Sequence, residues 1–436
     1  MRTALEIVFW LSAGLLVWTQ LGYGLALVVL ARLWRGRAQA APILPPAAGT
    51  NGAAPPAEAR RAAAPPLPAN PPDSLPPVSL IVAAHNEQSV IAAKVANALA
   101  LDYPRARLEV IVACDGCTDA TAARARAAGA DVVLELPRGG KIRAQDAAVA
   151  AARQESEIVA FADANALWEP GALRELVGAF ADARVGYACG QVRFYQAAES
   201  PRAEDAEPPG SQALARARAT NQEGVYWRYE MALRARESQL ASITAGNGAI
   251  YATRRASYLV VDPVMGHDLS FPFNMVKRGW RAVYVPGARA SEKMVPSIEG
   301  EFARKRRMMS HAWPIVLRGG LLSPRGYGVG YALMILSHRA LRYATPFLHA
   351  VAFAANLALL VAYPRGTAGG VSEVYFVTLT LQVLLFALAG IGGVVKLRPL
   401  LVARYYVLTT LALALGLWDW LRHGTDAAWE AAEGTR

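Results

Sequence analysis

Three apolar runs in the first half of the sequence each end in side chains that can bind or ionise. Residues 78–83 lead into Ala84-His85-Asn86-Glu87, and residues 108–113 into Cys114-Asp115-Gly116-Cys117-Thr118-Asp119. Residues 158–161 lead towards Asp163-Ala164-Asn165, and Gly139-Gly140-Lys141 stands between the second and third runs. Taken singly, these residues also read as helix caps or turn dipeptides. Together they supply what a nucleoside diphosphate needs. One carboxylate accepts from base or ribose, glycines allow close backbone approach, a lysine meets phosphate, and a second carboxylate holds a divalent cation.

Such groups meet only if the runs are neighbouring strands. The intervening segments fit that requirement: Ile91, Val95 and Leu99 share one helical face, residues 118–128 form a helix, and residues 131–136 read as a further strand. Strands alternating with helices predict an α/β domain with a mainly parallel, doubly wound sheet. Ligands bind such sheets beyond the carboxyl ends of the strands, where these polar residues fall.

Four later motifs also carry polar or aromatic groups. Tyr226, Trp227 and Tyr229 offer rings for sugar stacking, or equally a core or interfacial helix. Thr244-Ala245-Gly246-Asn247-Gly248 taken alone reads as a plain glycine turn. Gly266-His267-Asp268 precedes an apolar helix, where Asp268 taken alone reads as a cap. Arg304-Lys305-Arg306-Arg307-Met308 could bind substrate or face anionic lipid.

The set as a whole resembles the family-2 inverting glycosyltransferases, in particular the membrane-bound group of cellulose, chitin and hyaluronan synthases and exopolysaccharide transferases. The resemblance spans residues 78–313. It implies a GT-A type nucleotide-sugar-binding domain with flanking transmembrane helices. Asp115 would bind the uracil or ribose of a UDP-sugar (a GDP-sugar being the lesser expectation), with Ala84, Asn86 and Glu87 lining the same pocket and Lys141 near the nucleotide. Asp163 and Asn165 match the family's Asp-x-Asp metal motif for Mg2+ or Mn2+, the asparagine bringing less charge. Gly246, Asn247 and Gly248 would lie beside sugar and acceptor. Asp268 would be the catalytic base, with His267 in place of a preceding carboxylate. Arg304, Arg307 and Met308 stand where the synthases carry Gln-x-x-Arg-Trp. The arginine is kept and the tryptophan that stacks on the acceptor sugar is lost. Methionine has no comparable ring, so the enzyme is expected to add one or a few sugars, unless Trp313 or Tyr226 replaces the platform.

Composition places this chemistry at a membrane. Hydrophobic residues are 54% and charged residues 18% of 436, too apolar a balance for an ordinary soluble enzyme. The net charge of +11 is concentrated beside apolar stretches, with Arg32, Arg35 and Arg37 after the first and Arg339 and Arg342 before the second. No arginine-and-aromatic motif for nucleic acid occurs, so none is expected as a partner. Residues 7–31 are uncharged and exceed a signal-peptide core, which predicts an uncleaved anchor with the following chain cytoplasmic. Residues 343–363 and 374–395 are long enough to span, with the Gly369-Gly370 link outside, and residues 405–418 either cross or lie in the interface.

The expected organisation is an anchor (1–35), a Pro/Ala-rich linker (36–76), the catalytic domain (77–315), an interfacial helical segment (316–342), C-terminal spans (343–421) and a tail (422–436). Cys114, Cys117 and Cys189 fit a reducing compartment without disulfides. The expected setting is the plasma (bacterial inner) membrane, with the catalytic domain cytoplasmic. A membrane-associated glycan or lipid would be the acceptor, and polysaccharide-assembly proteins are possible partners. The rivals are single transfer to a polyprenyl-phosphate or sphingolipid-type lipid, and a non-catalytic nucleotide-binding partner of an assembly complex. Spans without intramembrane charge make a poor transport path.

Overall fold

The computed structural model describes residues 1–34, 75–195, 222–293, 298–364 and 373–425. Most of the 36–76 linker, the Gly369-Gly370 link and the tail beyond residue 425 lie outside the described residues. Eight strands form one sheet: β1 (Val78–Ala84), β2 (Leu108–Asp115), β3 (Val132–Leu136), β4 (Ile158–Asp163), β5 (Leu167–Trp168), β6 (Val185–Tyr195), β7 (Ile250–Arg254) and β8 (Arg281–Lys293). Their spatial order is β3-β2-β1-β4-β7-β6-β8-β5.

β1, β2 and β4 are apolar runs because both sheet faces are covered. Leu80, Val82, Ile91 and Val95 pack on one face; Ile81, Ala83, Phe161 and Tyr251 pack on the other. β1 pairs in parallel with β2 and β4, in a register that sets Ala84 against Cys114 and Ala83 against Asp163. This register brings the polar ends of the three strands level along one edge.

The other half departs from the expected mainly parallel sheet. β7 runs antiparallel to β4 and β6, β5 is antiparallel to β8, and only β6 and β8 are parallel, so the sheet is mixed. β7 starts with Ile250 opposite Ala162, near the carboxyl end of β4, and runs back down the sheet. The residue 244–248 loop therefore enters at the edge where β1, β2 and β4 finish.

Four helices among the described residues are long and apolar enough to cross a membrane: Arg2–Leu33, Val329–Ala362, Glu373–Ile391 and Arg398–His423. The second begins within the stretch expected to be interfacial and continues to Ala362. It contains a π-helical turn at Ile335–Ala340. Trp18 of the first helix donates to Ser337 of the second at 3.1 Å, and Phe9 packs with Ala355, Leu359 and Tyr375. The Ile298–Leu317 helix lies along the last helix. Arg404 meets Glu299 at 2.8 Å, Arg306 forks onto Asp419 at 2.6 and 2.7 Å, and Thr425 donates to the Ser310 carbonyl at 2.9 Å.

Candidate active site

The loop after β1 turns sharply at Asn86, whose φ of 52° is tolerated by a short amide side chain. Asn86 Oδ1 accepts from the Thr118 amide at 2.9 Å, and His85 Nδ1 lies 2.6 Å from the Asp115 carbonyl oxygen. Glu87 is buried, and its amide donates to Thr121 Oγ1 at 2.8 Å. The Cys117 thiol donates to the Ala84 carbonyl at 3.5 Å, and both Cys114 and Cys117 are free thiols. The two segments are thus tied into one rim.

Asp115 is buried, and its carboxylate turns towards the glycine loop. The Gly139 amide donates to it at 2.6 Å and the Gly140 amide at 3.0 Å, with Arg138 at 3.3 Å. Gly116 (φ 59°) permits this approach, since a Cβ there would lie 2.8 Å from Arg138 Cβ. In this conformation Asp115 holds the loop that delivers Lys141.

Lys141 opens the helix Lys141–Ala151, and its Nζ donates to Asp163 Oδ1. Burial works against its charge, but Asp163 and then Asp268 outweigh that cost and raise its pKa above the ordinary lysine value. A Cβ built on Gly248 would lie 3.8 Å from Lys141 Nζ and 3.9 Å from Asp268 Cβ. Lysine, glycine loop and candidate base therefore converge. Asp163 Oδ2 and the Asn165 side chain make no hydrogen bond among the described residues, leaving an oxygen-donor pair at the strand end. No group of three or more His, Cys, Asp or Glu residues among the described residues could alone hold a metal ion. Hard-cation binding here would need phosphate oxygens as further ligands, and an Asp-plus-amide pair suits that.

Asp268 lies in the first turn of the helix His267–Lys277. Its Oδ1 accepts from the Leu269 amide at 3.0 Å and its carbonyl from the Gly246 amide at 2.6 Å, while Oδ2 has no partner among the described residues. His267 is buried beside it. Its Nδ1 lies 2.7 Å from Tyr251 Oη, and its ring stacks on Phe271 at 4.0 Å. Burial, then the Lys141 charge, lowers its pKa to about 3, so it is neutral and supplies none of a carboxylate's charge. At Gly246 a Cβ would come within 2.0 Å of Tyr187 Oη, which explains the glycine. Asn247 is buried, accepting from Arg234 and donating to the Gly190 carbonyl.

The arginine run makes contacts within its own helix. Arg304 forks onto Glu301 at 2.8 and 2.7 Å; Arg307 is exposed, its side chain without a hydrogen bond among the described residues; Met308 is 43% exposed. Trp313 is 5% exposed and donates to the Leu413 carbonyl at 2.8 Å, so it is core and unavailable as a sugar platform. Tyr226, Trp227 and Tyr229 are likewise engaged, with Arg342, the Val192 carbonyl and the Gln20 carbonyl respectively.

Two residues of consequence escaped the sequence reading. Lys94 is fully buried, donates to the Ala166 carbonyl at 2.7 Å, and lies over the Trp168 ring. Asn97 exchanges hydrogen bonds with the Trp168 backbone at 2.9 Å. Both fix the segment just after Asp163-Ala164-Asn165. The available signal was a lysine and an amide interrupting the apolar face set by Ile91, Val95 and Ala98.

A family model described as "Glycosyltransferase like family 2" matches residues 76–310. Among solved structures, the mannosyltransferase PcManGT from Pyrobaculum calidifontis, in complex with GDP-Man and Mn2+, aligns with a TM-score of 0.61 at 20% identity. The alignment covers 96% of this chain and 99% of that one. The glucosyl-3-phosphoglycerate synthase from Mycobacterium tuberculosis, in complex with Mn2+, UDP and glucosyl-3-phosphoglycerate, aligns at 19% identity with a TM-score of 0.35, over 54% of this chain and 78% of that one. No curated protein matches in sequence. The first structure shares the fold over nearly the whole chain. The family model, over more than half of it, assigns the activity class: this chain belongs to glycosyltransferase family 2, with a GT-A-like domain acting on a nucleotide sugar.

Proposed function

We propose that the chain is an inverting glycosyltransferase that moves a sugar from a UDP-sugar to a membrane-presented glycan or lipid acceptor. The observation that carries this reading is the convergence of Lys141, Asp163, Gly248 and Asp268 at one edge of the sheet. The diphosphate lies against Lys141, beside the loop whose Gly139 and Gly140 amides Asp115 holds. Asn86 and Glu87 form the rim on the base and ribose side. Asp163 and Asn165 would hold a divalent cation, which would neutralise phosphate charge when bound. The acceptor hydroxyl oxygen attacks the anomeric carbon from the face opposite the diphosphate, and its proton passes to Asp268 Oδ2. The bond from C1 to the phosphate oxygen breaks, and its electron pair leaves on the nucleoside diphosphate. Lys141 stabilises the charge that develops there.

One or a few sugars are added. Met308 is exposed but has no ring face, while Trp313 has the ring and is buried. That favours a lipid-linked acceptor, in polysaccharide or glycolipid assembly, over a processive polymerase.

The protein sits in the plasma (bacterial inner) membrane with the catalytic domain cytoplasmic. Arg404 and Asp419 are about 22 Å apart along the last helix at 1.5 Å per residue. Both are nonetheless held by the Ile298–Leu317 helix, whose Glu299, Glu301, Arg304, Lys305, Arg306 and Arg307 suit it to the interface and not to hydrocarbon. The last helix therefore lies along the interface, and the C-terminus stays on the catalytic side.

The test uses purified protein in lipid against a panel of nucleotide sugars, reading released diphosphate and product length. Release that requires a UDP-sugar, stops with EDTA and gives short products is expected. High-molecular-weight glycan from the purified enzyme alone overturns the short-transfer reading. A C-terminal cysteine labelled from outside intact cells overturns the topology.

A further inference from the structure

Between the catalytic domain and the membrane helices lies a buried charge network that the transfer mechanism above leaves unused. Glu230 and Glu237 project from one face of the Gln222–Leu240 helix. His338, on the π-helical turn, lies between them, with Nδ1 2.6 Å from Glu237 and Nε2 3.2 Å from Glu230. Arg339 and Arg342 reach Glu230 at 3.1 and 2.6 Å, and Tyr23 of the first helix donates to Glu237 at 2.6 Å. Burying this many charges is costly, and a junction meant only to hold two parts together does better with apolar packing. Such packing is already present here: Tyr23, Leu27, Leu233, Tyr331 and Ile335 share one cluster. The polar set therefore adds geometry to an attachment that does not need it.

The geometry is delivered to Thr244. Its amide donates to Glu237 Oε2 at 3.1 Å, its hydroxyl lies 3.1 Å from the same oxygen, and Arg339 Nε donates to the hydroxyl at 2.9 Å. His338 Nδ1 lies 3.1 Å from that hydroxyl. Thr244 begins the loop whose Gly246 amide binds the Asp268 carbonyl at 2.6 Å and whose Gly248 lies between Lys141 and Asp268. One hydroxyl thus joins the second membrane helix and the domain helix, and through Glu237 the Tyr23 of the first, to the backbone of the base. Inserted π-helical turns are found disproportionately at functional positions, and here the turn carries both His338 and Arg339.

We propose that Thr244 is a positioning residue for the transfer step, through which the membrane-side network sets the residue 244–248 loop against Asp268. The inference rests on Asp268 being the base. The full-length protein in lipid bilayers tests it, with donor binding, kcat, acceptor KM and melting temperature measured on each variant. Thr244→Val keeps the branched shape and loses the hydroxyl. It is expected to lower kcat roughly ten-fold, the scale of one lost hydrogen bond at the barrier, with donor affinity unchanged. Thr244→Ser should recover most of that rate. Arg339→Lys, which retains charge but not the Nε donor, should show the same split and serves if Thr244→Val does not fold. Wild-type kcat in the valine variant, donor affinity falling in step with kcat, or failure of serine to rescue would each overturn the proposal. So would failure of both the valine and lysine variants to fold, which would make the network purely structural. Asp268→Asn in the same assay separates the two readings: if it keeps the wild-type rate the base assignment has failed, and if it is inactive while Thr244→Val is normal, only the positioning role has.

Discussion

The two halves of the catalytic edge are built by different means. On the nucleotide side, each functional group closes its own strand or opens its own helix, and the bonds that place it are mostly to backbone. Asp115 takes the Gly139 and Gly140 amides, Asn86 takes the Thr118 amide, and Lys141 opens its helix directly after the glycines. On the acceptor side, the residue 244–248 loop is fixed by side chains: Arg234 and Glu237 from the preceding domain helix, and His338 and Arg339 from more than 90 residues away. A diphosphate has one shape across many donors, and a rim fixed through backbone bonds suits a fixed shape. If the acceptor is membrane-presented, as proposed above, its alignment requires groups that reach the loop from the apolar helices, as His338 and Arg339 do.

If the halves are functionally separate, substitutions should sort by step. Asp268→Asn is expected to have the largest effect, about 10²- to 10⁴-fold in kcat, the range of a lost general base. Donor affinity should hold, and a parallel loss in nucleotide titration would break the division. Asp163→Ala lies on the other side of it. Removing a charged partner of Lys141 should weaken donor binding about 10- to 100-fold, from roughly 1.5–3 kcal/mol for a charge-assisted bond. Unchanged donor affinity at saturating cation would remove Asp163 from the nucleotide side.

A smaller effect tests how tightly the acceptor loop is packed. Gly246→Ala would drive a methyl into Tyr187 Oη, an overpacking cost of about 1–3 kcal/mol visible as a lower melting temperature and reduced transfer. That hydroxyl is buried without a partner among the described residues, so adding Tyr187→Phe should recover part of the loss. No recovery in the double variant would put the strain elsewhere.

The smallest effect is one of pH. Burial holds His267 neutral down to about pH 3, whereas the unfolded chain protonates near its ordinary value of about 6.5. Between those values the unfolded state binds the extra proton, so stability is lost as pH falls, by up to about 1.4 kcal/mol per pH unit. Melting curves at pH 7.5 and pH 5 should show wild type losing more than His267→Gln. Equal losses would mean that the ring is accessible to protons.

The same contrast explains what could be read from the sequence. The strands ending at Ala84, Asp115 and Asp163 were legible because a strand covered on both faces is an apolar run and its polar terminus is abrupt. The antiparallel strands were not: β7 follows a glycine loop, and β6 and β8 carry register shifts near Gly190 that blur alternation. The roles of Lys94, Glu230 and Glu237 were hidden for another reason. A buried charge looks like a surface charge until its partner is known, and for Glu237 that partner lies 101 residues away. Trp313 shows the reverse error. An aromatic beside an arginine run resembles a sugar platform, and only its bond to Leu413 shows that it faces the core.

The placement of that network also bears on how the molecule is made. Glu230 and Glu237 leave the ribosome well before His338 and Arg339, which arrive 101 to 109 residues later as part of an apolar segment long enough to cross a bilayer. Until that segment is in place, Glu230 has, among the described residues, only Arg234 of its own helix, Glu237 lacks His338, and Thr244 lacks the arginine that fixes it. A nascent or mis-inserted chain would hold its donor pocket, formed from residues 78–163, with an unset acceptor loop. If the network sets the loop as proposed, transfer begins only once the second apolar helix is in place.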